Sequence, residues 1–198
     1  MAKIFMVVNN PSFFLSHRLP IALAAKQAGH DVHIVTMAGD SVQKILASGL
    51  SHHVLPMSRS GTNPLQELKT IHFLYQLFRR ERPDLVHLVT IKPVLYGGIA
   101  ARLAKIKAVV YAISGLGFIF TRQRSGIDIL KTAAVNLYKL ALGHPNSKVI
   151  VQNSDDKAVL ERIGALRPHQ AVEIKGAGVD MQEFAASEEP PEPIVVCM

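Results

Sequence analysis

Apolar residues fall along this chain in seven short, β-branched runs separated by longer stretches in which they recur every three or four positions. The runs read KIFMVVN (3–9), DVHIVT (31–36), HHVLP (52–56), DLVHLVT (84–90), KAVVYAI (107–113), KVIVQN (148–153) and AVEIK (171–175). Several are apolar on both sides, the pattern of parallel strands covered by helices above and below. The stretches between them have helix-end chemistry. Ser16 is placed to cap the first helix, with Pro20 in its opening turn and Gly29 as its stop. Asn63-Pro64 starts a long helix that Pro83 ends near Arg82. Pro93 opens another through Ala104, Ser125 starts one ending near Gly143, and Ser154, Asp155 and Asp156 suit the positive end of a sixth. Strand and helix alternate so regularly that an α/β fold follows: a doubly wound, mostly parallel, Rossmann-like sheet with helices on both faces.

After Lys175 the texture changes. GAGVDMQEF reads as a loop running into a short turn, SEEPPEP (187–193) as an extended acidic linker, and PIVVCM as an opening strand. The expected layout is one Rossmann-like domain over 1–186, a linker over 187–193, and residues 194–198 as the first strand of a second domain.

Composition narrows the class. The chain has 198 residues, 48% of them hydrophobic and 19% charged, enough to build a core. No apolar stretch is long enough to span a membrane. The N-terminal run breaks at Asn-Asn-Pro with no cleavage signal, so a cytoplasmic location is expected. A single cysteine, Cys197, rules out a disulfide within the chain. All 22 lysines and arginines lie in residues 1–175 against 10 acids, a balance of +12, whereas the last 23 residues hold five acids and no base. Such a body suits phosphate-bearing ligands or an anionic membrane surface, or is simply a solvated basic surface. Nucleic acid is disfavoured because interleaved aromatics and recognition motifs are missing.

Function in such a sheet belongs to the loops after the strands. The first, NNPSFFLSHR, has neither the dinucleotide nor the P-loop glycine pattern. His17 and Arg18 lie there, placed at the first turn of a helix to meet a phosphate or sugar hydroxyl, or else merely exposed. Lys92, after strand four, reaches a ligand phosphate or solvent, and Gly97 and Gly98 beside it permit close packing. His87, within that strand, reads as a core histidine. The fifth loop, SGLGFIFTRQR, supplies Ser114, Gly115 and Gly117 for close backbone approach, then Phe118, Arg122 and Arg124. It lacks the glycines of a serine elbow. The last loop offers Gly176, Gly178 and Asp180, the acid bonding either backbone amides or ligand hydroxyls. Metal signals are poor: His30, His33, His52 and His53 sit without acidic partners, and no Asp-x-Asp dyad occurs. The 63–82 helix has a broad apolar face ending in Arg79 and Arg80. With Arg59 before it, this fits core packing with a favourable charge at the helix end, or contact with an anionic bilayer.

The segments FFLSHRLPIALAAKQAGHDVHIVT, RPDLVHLVTIKPVLYGGIAARLAKIKAVVYAISGLGFIF, KVIVQNSDD and IKGAGVDMQEF, in this order, resemble the amino-terminal domain of family 4 glycosyltransferases of the GT-B fold. The resemblance is strongest to bacterial enzymes that extend lipid-linked O-antigen or capsule sugars. It implies a retaining transferase, metal-independent and without cofactor, that uses a nucleotide sugar, UDP-linked, and a polyprenyl-diphosphate-linked acceptor. The donor would be held chiefly by a second domain, so this chain alone is expected to be inactive. His17, Arg18, Lys92 and the GAGVD glycines align with cleft-lining positions. The loop Ser114–Gly117 would face the reaction centre, with Ser114 where relatives often carry histidine. Arg59, Arg79, Arg80, Phe118, Arg122 and Arg124 would belong to a membrane-docking surface on the inner face of the cell membrane. A GT-B sugar-nucleotide epimerase, or a docking subunit needing a donor-binding partner chain, are the alternatives.

Overall fold

A computed structural model describes residues 1–57, 63–116, 129–178 and 181. Seven strands form one sheet: β1 (Lys3–Val8), β2 (Asp31–Thr36), β3 (Ser51–Val54), β4 (Leu85–Val89), β5 (Ala108–Ile113), β6 (Ser147–Val151) and β7 (Ala171–Glu173). Every pairing is parallel, in the order β3-β2-β1-β4-β5-β6-β7. The strand order therefore reverses between β1 and β4, and their carboxyl ends open a crevice there. The foreseen domain boundaries at 187–193 and 194–198 lie outside the described residues.

The helices are α1 (Pro11–His17), α2 (Leu19–Gln27), α3 (Val42–Ala47), α4 (Pro64–Glu81), α5 (Gly98–Leu103), α6 (Ile129–Leu142) and α7 (Ser154–Arg162), with a π-helical turn, Pro93–Gly97, leading into α5. The single helix expected after β1 is two, joined at Arg18. Pro20 has no N–H for the carbonyl of Ser16, and its ring crowds that carbonyl, so the helix restarts. Ser16 is accordingly not a cap. It lies inside α1, its hydroxyl within 3.1 Å of the Ser12 carbonyl, and the cap is Asn10, whose Oδ1 accepts from the amides of Ser12 and Phe13. Asn153 likewise caps α7 in place of Ser154, accepting from the Asp156 amide at 2.7 Å, with Asp155 and Asp156 in the first turn as expected. Asn63 caps α4, and Arg82 ends it in the left-handed conformation. α3 was not foreseen: it is six residues long and Ile45 is its one buried side chain, too little for a periodic signal.

The sheet has two unequal coats. On one face Phe5, Val7, Val86, Leu88, Tyr111 and Val149 pack under α4, α5, α6 and α7. The π turn and α5 press especially close: a Cβ on Gly97 would lie 2.5 Å from Leu88, and one on Gly98 2.8 Å from the Ala141 carbonyl. Tyr111 donates to that same carbonyl at 2.6 Å, locking β5 to α6. On the other face Met6, Val8, Ile34 and Ala112 meet Phe14, Ala22 and Ile45 of α1–α3.

Candidate functional site

Of the candidate site residues that the sequence singled out, Arg18, Ser114 and Gly176 line one cavity on the sheet, and the others are placed separately or lie outside the described residues. His17 closes α1 on the surface, its ring stacked on Phe13 with centroids 4.2 Å apart and its Nδ1 2.6 Å from the Ser16 hydroxyl. Arg18, its neighbour, turns inward and is 8% exposed. The two do not act as one pair on one helical turn, because the break between α1 and α2 points them apart.

Arg18 lies on the less-covered sheet face. One terminal nitrogen donates to the His17 carbonyl at 3.2 Å, and its Nε is buried with no hydrogen-bond partner. Burial lowers its pKa. His87 is also 8% exposed; burial, and then the Arg18 charge, push its pKa down to about 4, so the ring is neutral near pH 7. It is a core histidine, as its place in the strand implied, but one facing a cation. Both line a cavity of about 380 Å³ together with Ser114, Gln152, Gly176 and Ala177.

Lys92 starts the π turn and donates to Glu67 Oε1 at 2.7 Å, with both side chains largely covered. Tyr96 also bonds Glu67; burial, and then that carboxylate, raise its pKa. Sequence reasoning overlooked Glu67 and Tyr96. The available signals were an acid in the first turn of α4 and a tyrosine four residues after Lys92, on the same side of a helical turn.

Between β4 and this turn, Thr90 has φ 71°, a strained conformation for a β-branched residue, and its buried hydroxyl has no hydrogen-bond partner. Ser114 is exposed at the end of β5, and Gly115 (φ 138°) has open space where a side chain would stand. Gly176 and Gly178 are exposed with φ 81° and 78°. Gly117, Phe118, Arg122, Arg124, Arg59 and Asp180 lie outside the described residues. Arg79 and Arg80 are exposed in the last turn of α4, near the amino ends of the strands and therefore at the opposite edge from the crevice.

One histidine expectation is corrected. His33 does have an acidic partner: its Nε2 is 3.1 Å from Asp31, two residues along the same strand face, and its Nδ1 is 2.9 Å from His53. Among the described residues no group of three or more His, Cys, Asp or Glu is arranged to hold a metal. Nor is any helix long and apolar enough to cross a membrane.

The family model described as "Glycosyl transferase 4-like" matches residues 3–153, most of the sheet and the crevice loops after β1, β4 and β5. The chain belongs to this family. Among curated relatives, this glycosyl transferase 4-like chain is 26% identical over 179 residues to an N,N'-diacetylbacillosaminyl-diphospho-undecaprenol alpha-1,3-N-acetylgalactosaminyltransferase of Campylobacter jejuni, covering 86% of the chain and 47% of the relative. It is 23% identical over 155 residues to a UDP-Gal:alpha-D-GlcNAc-diphosphoundecaprenol alpha-1,3-galactosyltransferase of Escherichia coli, covering 78% of the chain and 38% of the relative. The chain thus spans less than half the length of these relatives. Its fold matches a glycosyltransferase from Rickettsia africae with a TM-score of 0.64 at 18% identity, over 93% of this chain and 45% of that one. A UDP-N-acetylglucosamine 2-epimerase matches at 0.66 and 16%, over 97% and 53%.

Proposed function

We propose that this chain is the acceptor-side domain of a retaining glycosyltransferase that moves a sugar from a nucleotide sugar, a UDP-sugar, to a polyprenyl-diphosphate-linked acceptor in bacterial surface polysaccharide synthesis. The supporting observation is the family match over 3–153 together with two curated relatives whose names both specify undecaprenyl-diphosphate acceptors. The crevice geometry agrees in kind: glycine-bearing loops after β5 and β7 let backbone amides approach a ligand, and Arg18 supplies a cation with no carboxylate among the described lining residues. In this reading the donor is gripped mainly by a second domain, no metal participates, and the basic body works at an anionic membrane surface on the cytoplasmic side.

Sugar transfer tests the proposal. The purified 198-residue chain, given UDP-sugars and a short-chain polyprenyl-diphosphate N-acetylhexosamine, is expected to form no product. Joined to a donor-binding second half it should form an α-linked product, unchanged by EDTA. Turnover by the chain alone contradicts the division of labour, and failure of the joined protein with every UDP-sugar contradicts the class.

A sugar-nucleotide epimerase is the second reading, supported by the 0.66 match to an epimerase. An epimerase works on soluble nucleotide sugar and has no use for a membrane. Absence of flotation with anionic vesicles, together with interconversion of a UDP-sugar by the joined protein, would favour it.

A further inference from the structure

Away from the crevice, two histidine rings meet on the sheet face that α4 covers. His33 of β2 and His53 of β3 share that face with Val35, because alternate strand residues point the same way. His33 Nδ1 and His53 Nε2 are 2.9 Å apart. The rings stack with centroids 5.2 Å apart, and lie 4.7 and 5.3 Å from the ring of Phe5, which Phe78 of α4 meets edge-on. His52 points to the other face, where its Nε2 is 2.9 Å from the Thr36 hydroxyl.

Protons decide whether this contact exists. A hydrogen bond between two imidazoles needs one N–H and one lone pair. His33 Nε2 faces Asp31 at 3.1 Å, so a single added proton fits: His33 then donates to Asp31 from Nε2 and to His53 from Nδ1. A second proton, on His53 Nε2, sets two N–H groups facing each other across 2.9 Å. No acceptor is left between them, and two half-buried rings carry like charges, so the contact must break. The surrounding charges do not remove that conflict. Lys3 of β1 is 4.0 Å from Asp31 and 3.3 Å from Glu81 in the last turn of α4, and Arg80 is 3.0 Å from Glu81, so each carboxylate already has a cation. Burial first, and then the His33 charge, lower the His53 pKa; Glu81 opposes this, and Arg80 and His52 add to it.

We propose that His33 and His53 form a one-proton latch that fastens edge strand β3 to the sheet and opens when a second proton arrives. Among the described strands β3 is the last on its side and pairs with β2, so the two rings are a cross-strand fastening at the rim of the sheet. The second proton binds the open form better than the latched one. Acid therefore shifts the pair open, by at most about tenfold per pH unit. Opening uncovers the outer edge of β2, whose backbone groups then lack a partner and are free to pair with another strand. The latch is independent of the reaction that the crevice performs.

A ring-nitrogen NMR titration and amide hydrogen exchange on the same protein test the latch. At about pH 8 one of the two facing nitrogens is expected to carry hydrogen and the other none. On acidification the two rings should titrate in steps separated by more than about one pH unit. Across the lower step, the Leu55 amide, which donates to the Thr36 carbonyl at 2.8 Å, should lose at least about tenfold in protection after correction for intrinsic exchange. The Val109 amide, which donates to the Asn146 carbonyl at 3.1 Å, should keep its protection. His33→Gln and His53→Gln should each remove the acid-dependent loss at Leu55, whereas His52→Gln should retain it; circular dichroism checks that the variants fold. Titration of both rings in one common step, equal loss at Leu55 and Val109, or a loss that persists in both variants overturns the proposal. Should a variant not fold, the titration and exchange of the unaltered protein decide.

Discussion

Arg18 shows how one side chain takes its meaning from its surroundings. Beside His17 in the sequence it reads as a surface partner, yet Phe14, Arg18 and Ala22 are four residues apart and all three are buried. That spacing, carried across the helix break, was the available signal of an inward-facing arginine. An unpaired buried donor costs about 1–3 kcal/mol. Arg18→Met should therefore raise the stability of the free chain by roughly that amount in urea denaturation, even though it removes the bond to the His17 carbonyl. His87 yields a pH prediction. Its folded pKa of about 4 lies below the ordinary histidine value, so between about pH 6.5 and 4 the unfolded chain takes up a proton that the folded chain refuses. The associated stability is fully present above about pH 6.5 and falls as the pH drops towards 4, by on the order of 3 kcal/mol in all. His87→Gln should flatten that slope in denaturation curves collected across the window. Thr90 is strained at φ 71°; Thr90→Gly, which relieves the strain but loosens the unfolded chain, should raise the thermal midpoint by the equivalent of about 1 kcal/mol.

Elements were more legible than residues. All seven strands fall within two residues of where the apolar runs placed them, because burial on both faces demands continuous β-branched sequence. Helix starts were harder. Serine, asparagine and aspartate are all competent caps, so NSDD offered several candidates, and only the turn geometry selected Asn153. Gly97 and Gly98 were read as allowing close packing, and the contacts bear this out. Gly98→Ala would drive a methyl against the Ala141 carbonyl, a backbone atom that cannot step aside. It should separate α5 from α6 at a cost of about 1–3 kcal/mol, measurable as a lower urea midpoint. The π turn was not legible at all, because a single extra residue per turn leaves no mark on a periodicity already short and apolar.

At the scale of the molecule, the parallel doubly wound sheet reverses its strand order between β1 and β4, and three of the candidate ligand groups, Arg18, Ser114 and Gly176, line one cavity. Arg79 and Arg80, which the sequence joined with the crevice loops in one membrane-facing set, stand at the edge opposite those loops, since α4 runs back across the sheet and carries its last turn away from the crevice. A docking surface that includes them and the crevice must run along the length of α4. Arg79→Glu with Arg80→Glu is expected to weaken flotation with anionic vesicles at low salt.

The order of strands and helices, the parallel class, and the loops that could carry chemistry were determined by the sequence alone, because hydrophobic period and end signals are local and act within a few residues. Tertiary structure decided that Arg18 is buried with no carboxylate beside it among the described residues, that Lys92 is paired with Glu67, and that Arg18, His87 and Ser114 line one cavity. Each of these depends on which distant segments meet, and a charge has no partner or burial until the chain has closed around it.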